Sequence, residues 1–434
     1  MNRPADPPRP RFGRPRLFFS FVCLALLGLL LSVTACDDLL AVEDPVNLTP
    51  DDLSGDAPLS LTTNGARGAF QSMVDYYALH TALLTDEMVL AGTFPYRGEI
   101  DDRAIPDNNE GLLNDFYSPL STSRFMADTA IVILEAARGN PAYDEDEIND
   151  GVAMARYFGG YTRLLLAEGF CASPINGGPA LTPEERMQDA ISVFTEAEAD
   201  AQRAGDADLA AAAKLGRARA HLWLRNFEEA AALAAEIPAD LDVRSYYANA
   251  SIPQKNKIAR FTWAIDEVIR WTVGDGTLAF TGNERWPYFD EWVDLGLIVP
   301  RPDLESFNPA VPVNLQQKYP AGDTPITLAS GAEADLIEAE ARLRAGNLAG
   351  AAALVNALRQ SHWSLPPITF TGTLTTNLEI MAQERARELW LTGERIATLR
   401  RYLEDGVDLF PAGKLGTETC FPLPQRETDT NPNL

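Results

Sequence analysis

The chain has 434 residues, 36 of them Lys or Arg and 62 Asp or Glu, for a net charge of −26. With 46 % hydrophobic and 23 % charged residues it has a globular composition, which excludes a disordered or collagen-like chain. An isoelectric point near 4.5 argues against nucleic acid as a partner and against electrostatic docking on anionic lipid, because both need a basic face.

Arg3, Arg9, Arg11, Arg14 and Arg16 make a basic start, and Leu17 to Val33 follow without a charge. The segment then reads Leu31-Ser32-Val33-Thr34-Ala35-Cys36. A basic start, an apolar run and a small residue before the cut describe a bacterial secretory signal over 1–35. The Cys directly after Val-Thr-Ala resembles a lipobox. Cys36 is therefore the expected lipidated N-terminus of the mature chain, held at a membrane by its acyl chains. The competing reading is a transmembrane anchor, for which an uncharged run of 17 residues is short. Removing 1–35 takes away five Arg and one Asp, which leaves 31 basic and 61 acidic residues and a net charge of −30.

Cys23 leaves with the signal and Cys36 carries lipid, so Cys171 and Cys420 remain as an even pair in an oxidising compartment. A disulfide between them is expected; the alternative is two buried thiols. His80, His221 and His362 are scattered and no Cys/His spacing suits zinc, so no metal or other cofactor is expected.

Residues 36–58 are acidic and Pro-containing and read as a tether. Helical periodicity dominates the single domain expected over 59–434. Leu59 to Leu90 reads as a helix pair broken around His80. Gly111 to Ala137 and Asp146 to Phe170 read as further helices, the first ended by Gly139-Asn140-Pro141. Thr182-Pro183-Glu184-Glu185 is a helix start in which Thr182 caps, Pro183 takes the first turn and Glu185 completes a capping box. Two Ala-rich helices, 207–224 and 227–236, resemble a tetratricopeptide pair, and 330–360 repeats the unit around Gly346-Asn347. One such pair cannot bury its own apolar face, so recurrence implies stacking. The expected fold is all-α, a tetratricopeptide-like helical-repeat frame over 59–237 and 328–405. A Pro-rich, loop-rich insertion at 238–327 holds four of the seven Trp, and a tail at 406–434 is irregular.

Several of these features together resemble the SusD/RagB family of outer-membrane nutrient-binding lipoproteins. They are Cys36 with the acidic stretch from Asp37 to Glu43, Arg156-Tyr157-Phe158 through Gly169-Phe170, and Leu336-Ile337-Glu338-Ala339 with Gly346-Asn347. The most specific is the block from Glu384-Arg385 through Gly393-Glu394-Arg395 to Leu399-Arg400-Arg401, followed by Cys420-Phe421-Pro422. Thr392 and Thr398 depart from the acidic residues usual at those places. The charges of this block fall on helix faces and are expected to pair along and between helices, marking the fold and not the ligand. The resemblance implies a non-catalytic binder that delivers an oligosaccharide, or alternatively a peptide, to a SusC-type TonB-dependent barrel in the outer membrane. In relatives, acidic residues after the lipidated Cys accompany surface export.

Enzyme readings find no support. There is no G-x-S-x-G elbow, phosphate loop, H-E-x-x-H or dinucleotide fingerprint, and carboxylate pairs carry no signal in so acidic a chain. No catalytic residue is expected. Ligand contact is expected from flat rings that can stack on the apolar face of a sugar. The candidates are Trp271, Trp286, Tyr288 and Trp292 in the insertion, and Phe94 with Tyr96 in a loop between Gly92 and Gly98. The competing reading of each ring is packed core. The competing reading of the whole chain is a tetratricopeptide-like periplasmic scaffold lipoprotein that binds other proteins.

Overall fold

The computed structural model describes residues 59–263, 265, 268–276 and 286–434. The signal segment, Cys36 and the acidic tether lie outside the described residues. Helices α1 (Leu59–Leu84), α2 (Pro95–Asp101), α3 (Ser118–Ala137), α4 (Glu145–Gly169), α5 (Pro183–Ala204), α6 (Ala207–Trp223) and α7 (Phe227–Ala234) make the first half. A π-helical turn, Leu112–Tyr117, leads into α3. The short α8 (Lys257–Thr262) and α9 (Phe289–Asp294) lie in the insertion. Then come α10 (Gly331–Arg344), α11 (Leu348–Trp363), α12 (Leu374–Glu388), α13 (Arg395–Glu404) and α14 (Gln425–Thr430). Among the described residues no helix is long and apolar enough to cross a membrane.

Short polar side chains set the helix starts. Asp144 caps α4, and Thr182 and Glu185 form the expected capping box on α5. Asp206, Ser330, Asn347 and Thr373 cap α6, α10, α11 and α12. Each cap satisfies a backbone N–H that would otherwise be orphaned, typically for ~1 kcal/mol. Residues 59–84 form one helix, not a pair broken at His80. No Pro or Gly interrupts it beyond Gly68. His80 is fully buried, its Nδ1 is 2.8 Å from the Tyr76 carbonyl, and its ring packs on Phe116. A polar side chain whose Nδ1 bonds within its own turn, and whose ring packs in the core, gives the helix no reason to stop. The tail is likewise less irregular than expected, since Gln425–Thr430 is helical.

The long helices stack in order: α4 on α3 and α5, α5 on α6, α6 on α7, α7 on α10, and α10 on α11. Small residues permit the close crossings. The Phe194 ring lies between Gly160 and Gly216, where an added Cβ would come within 2.8 and 2.5 Å of it. One apolar core runs from Phe70 and Tyr77 through Leu164 and Leu215 to Trp390 and Phe421. A second joins α10, α11 and α12 around Leu336, Val355 and Met381.

Among the described residues, four antiparallel two-stranded ribbons complete the body. β1 (Val89–Leu90) pairs with β5 (Trp271–Thr272), and β2 (Ser173–Pro174) with β3 (Ala180–Leu181). β4 (Asp242–Ser245) pairs with β8 (Ile326–Ser330), and β6 (Ile298–Pro300) with β7 (Asn314–Gln316). Three of the four draw a strand from the insertion, which is thereby sewn onto the helical frame.

A buried ion network knits the stack, as the signature block implied. Glu168 accepts two bonds from Arg219, at 2.7 and 2.5 Å, and Arg219 Nη1 lies 3.2 Å from Glu394. Glu340 receives Arg344 and Arg401, each at 3.0 Å, with Arg385 at 3.9 Å. Burial alone would raise the Glu340 carboxyl, but Arg401, Arg385 and Arg344 outweigh it and hold it at about 2. Arg400 donates to the carbonyls of Ala167, Glu168 and Phe170 at the end of α4. Gly393 has φ +88°, and a Cβ there would meet the Tyr77 ring at 2.7 Å, so it is both a turn and a close approach.

Candidate functional site

The densest aromatic segment turns inward. Trp286 and Trp292 are fully buried, their ring centroids 4.8 Å apart. Trp390 of the signature block stands 4.5 Å from Trp292, and the Arg395 guanidinium 4.6 Å from Trp286. These rings pin the insertion to the turn between α12 and α13. Trp271 is also buried, its edge toward His80. Trp271, Trp286 and Trp292 therefore leave the set of expected ligand contacts, because an indole inside the core has no face to offer. Tyr288 is half-buried, edge-on to Trp286 at 5.2 Å.

Phe94 and Tyr96 belong to a different assembly, at the surface. Ala91 N–H donates to the Arg270 carbonyl (2.8 Å), Asn308 N–H to Ala91 (2.9 Å) and Phe307 N–H to Ile269 (2.8 Å). Three segments distant in sequence thus run side by side. Phe94 precedes α2, and Tyr96 lies in its first turn behind Pro95. Their rings are 5.5 Å apart, and both are half-buried. Phe307, 42 % exposed, completes a rim. The Arg270 guanidinium lies between rings, 4.8 Å from Phe94 and 5.1 Å from Phe307. Arg97 supports the rim from below, 5.2 Å from Phe94 and 5.4 Å from Tyr96, with its Nη2 3.2 Å from Asp115. Such cation–π contacts hold the rings in place. Phe307 and Arg270 escaped sequence reasoning: only non-local backbone pairing brings them to Phe94.

A C-terminal belt fixes the arm that carries Phe94 and Tyr96. Lys414 reaches Asp86 (2.9 Å) and Asp101 (3.1 Å). Arg103 donates to the carbonyls of Glu418 (2.8 Å), Pro411 (2.8 Å) and Thr417 (3.0 Å). The belt ends on α4, where Cys420 is disulfide-bonded to Cys171 and Phe421 N–H donates to Gly169 at 2.8 Å.

A polar cleft of ≈ 330 Å³ lies elsewhere, between the β4–β8 ribbon, the start of α10 and the end of α12. Lys318 lines it and donates to the Trp390 carbonyl at 2.5 Å. Burial pushes its ammonium down to about 8, against the fields of Glu87, Glu388 and Glu394. Glu333 also lines the cleft, and burial holds its carboxyl well above the ordinary range. Among the described residues, no group of three or more His, Cys, Asp or Glu side chains is arranged to hold a metal ion.

Residues 331–421 match the model of the SusD family. No curated protein matches the chain by sequence. Solved structures share its fold. A SusD-like carbohydrate binding protein from Bacteroides fragilis is 14 % identical with a TM-score of 0.67, over 88 % of this chain and 99 % of that one. A surface glycan-binding protein A from Bacteroides uniformis is 15 % identical with a TM-score of 0.62, over 87 % and 98 %. A SusD-like carbohydrate binding protein from Bacteroides vulgatus is 16 % identical with a TM-score of 0.58, over 79 % and 83 %. The segment from α10 to the belt thus matches the SusD family model, and the stacked helical frame is the fold that these SusD-like structures share with the chain.

Proposed function

We propose that the chain is a lipid-anchored, non-catalytic binder on the outer membrane that captures an oligosaccharide at the Phe94–Tyr96–Phe307 rim and passes it to a SusC-type TonB-dependent barrel. The observation that carries the reading is the rim itself: three rings from two segments distant in sequence, held by Arg97 and Arg270, with Phe307 42 % exposed. Sugar rings present apolar C–H faces that suit such a surface, and hydroxyl groups find donors and acceptors around it. Glycan binding by structural relatives supports the ligand class. The secretory signal and Cys36 in a lipobox context support the anchor.

The test has two arms. Soluble protein from residue 37 onward is screened against immobilised oligosaccharides, with Phe307→Ala alongside. The lipidated protein is recovered from its native membrane and its partners are identified by mass spectrometry. A bound glycan that Phe307→Ala weakens, and a stoichiometric TonB-dependent barrel, are expected. Periplasmic proteins in place of the barrel would favour the scaffold reading.

A further inference from the structure

We infer that the loop joining α1 to β1, residues 85–88, is a proton-linked hinge for the arm that carries Phe94 and Tyr96, closing that arm firmly in acid and loosening it toward alkaline pH. The hinge stands on its own geometry, and only its effect on a glycan rests on the rim reading. The loop runs directly into β1, which pairs with β5, and Phe94 follows shortly after.

Two consecutive carboxyls are buried in this loop, and each meets a different part of the chain. Asp86 adopts the left-handed conformation, φ +56°, and turns the chain out of α1. It pairs with Lys414 of the belt, which also holds Asp101 at the end of α2. Arg395 and Arg103 add positive field around it. Glu87 is fully buried and meets the signature turn, where its Oε1 accepts from Leu391 N–H at 3.0 Å. Its Oε2 takes part in no hydrogen bond within the protein. Arg395, whose Nε donates to the Thr85 carbonyl at 3.2 Å, and Lys318 face the carboxyl, and Glu394 opposes them. With Arg385, Glu394, Arg395 and Thr398, Glu87 lines a cavity of ≈ 10 Å³, far below the size of a site for an organic ligand. The place suits a proton and not a ligand.

A carboxyl taken out of water holds its proton more tightly unless cations outweigh the burial. Burial pushes Glu87 up to about 7 from an ordinary 4.5, against the fields of Arg395 and Lys318. Burial likewise pushes Asp86 up to about 6 from 3.8, against Lys414 and with Asp101 adding to the rise. Local opening of the arm returns both groups to water and to their ordinary values. The closed arm therefore binds the protons more tightly than the open one. For Glu87 this contribution to closure is fully present below about pH 4.5 and is lost as pH rises through about 7. Asp86 acts in the same direction, fading through about 6. Between about pH 5.5 and about pH 8 the opening constant should rise roughly thirtyfold through Glu87, with a further factor of about four through Asp86.

The test is hydrogen exchange of the chain from residue 37 onward across that pH interval, corrected for the intrinsic rise of exchange with pH. Protection of residues 86–110 is expected to fall by about thirtyfold or more, while α4, α5 and α6 change far less. Glu87→Gln keeps the shape and fixes the group as neutral. It should leave only the fourfold part, about, and should protect the arm better than the parent chain at about pH 8. If Glu87→Gln does not fold, Asp86→Asn, which suits the left-handed position, should remove the smaller factor, and the parent profile still decides. Exchange needs no ligand, so this outcome is separate from that of the rim. A glycan found at the rim should bind more weakly at about pH 8 than at about pH 5.5, and Glu87→Gln should flatten that difference. Protection of 86–110 that is level with pH, a fall shared equally by α4 to α6, or a fall undiminished in folded Glu87→Gln would each overturn the inference.

Discussion

Glu340→Gln asks whether one carboxylate holds the charged centre of the stack. Gln keeps the shape and removes the charge, leaving Arg344, Arg385 and Arg401 around a neutral group in the interior. Removing one partner of a buried ion pair typically costs about 3–5 kcal/mol. The carboxyl is held at about 2 from an ordinary 4.5. At about 1.4 kcal/mol per pKa unit, ionised Glu340 contributes on the order of 3 kcal/mol. The two routes agree. Burial holds Arg401 below its ordinary range even beside Glu340, with Arg385 adding repulsion, yet it stays charged wherever the protein folds. Because the folded carboxyl titrates below the unfolded one, the contribution is fully present above about pH 4.5 and fades as pH falls toward 2. Urea unfolding of both proteins is expected to differ by about 3–5 kcal/mol at neutral pH, with the gap smaller by roughly 2 kcal/mol near pH 3. A difference below about 1 kcal/mol at neutral pH, or one that does not shrink in acid, would refute the reasoning.

Replacing Cys171 and Cys420 by Ser opens a loop of 249 residues and should lower unfolding stability by up to roughly 5 kcal/mol in the chain-entropy account. Hydrogen exchange should rise first in 86–110, the arm the belt fixes, and uniform exchange would count against the belt. Gly216→Ala drives a methyl into the Phe194 ring and should cost about 1–3 kcal/mol by thermal melt, relieved in the double variant with Phe194→Leu. Phe307→Ala should cost about tenfold in glycan affinity, near 1.4 kcal/mol, with no change in melting temperature, since its ring is 42 % exposed. A melting temperature that falls with the affinity would return Phe307 to a packing role.

The frame was legible because its signals are local. A capping box at Thr182, a Gly-Asn turn between two Ala-rich helices, and charges at helical spacing each report on a few neighbouring residues. The helix through His80 was misjudged because a lone polar residue resembles a break until its burial and its bond to Tyr76 are known. The site was half legible. Density of Trp pointed to 286–292, yet density reports hydrophobicity, and those rings close the core against Trp390. Phe94 and Tyr96 stood out by their loop setting. Their partners Arg270 and Phe307 arrive through pairing across more than 170 residues, which no local pattern carries.

The Cys171–Cys420 bond also sets a timetable. Cys171 follows α4 directly, while Cys420 comes after α13, the last helix of the stack. A chain emerging from its N-terminus shows the first thiol long before the second exists to meet it. Through that interval the arm bearing Phe94 and Tyr96 lacks its belt, and Cys171 is open to any other thiol it encounters. The step that completes the candidate ligand rim is therefore among the last in biogenesis. An oxidising catalyst that joins cysteines in order of appearance would have nothing correct to offer Cys171 until the whole frame has been delivered.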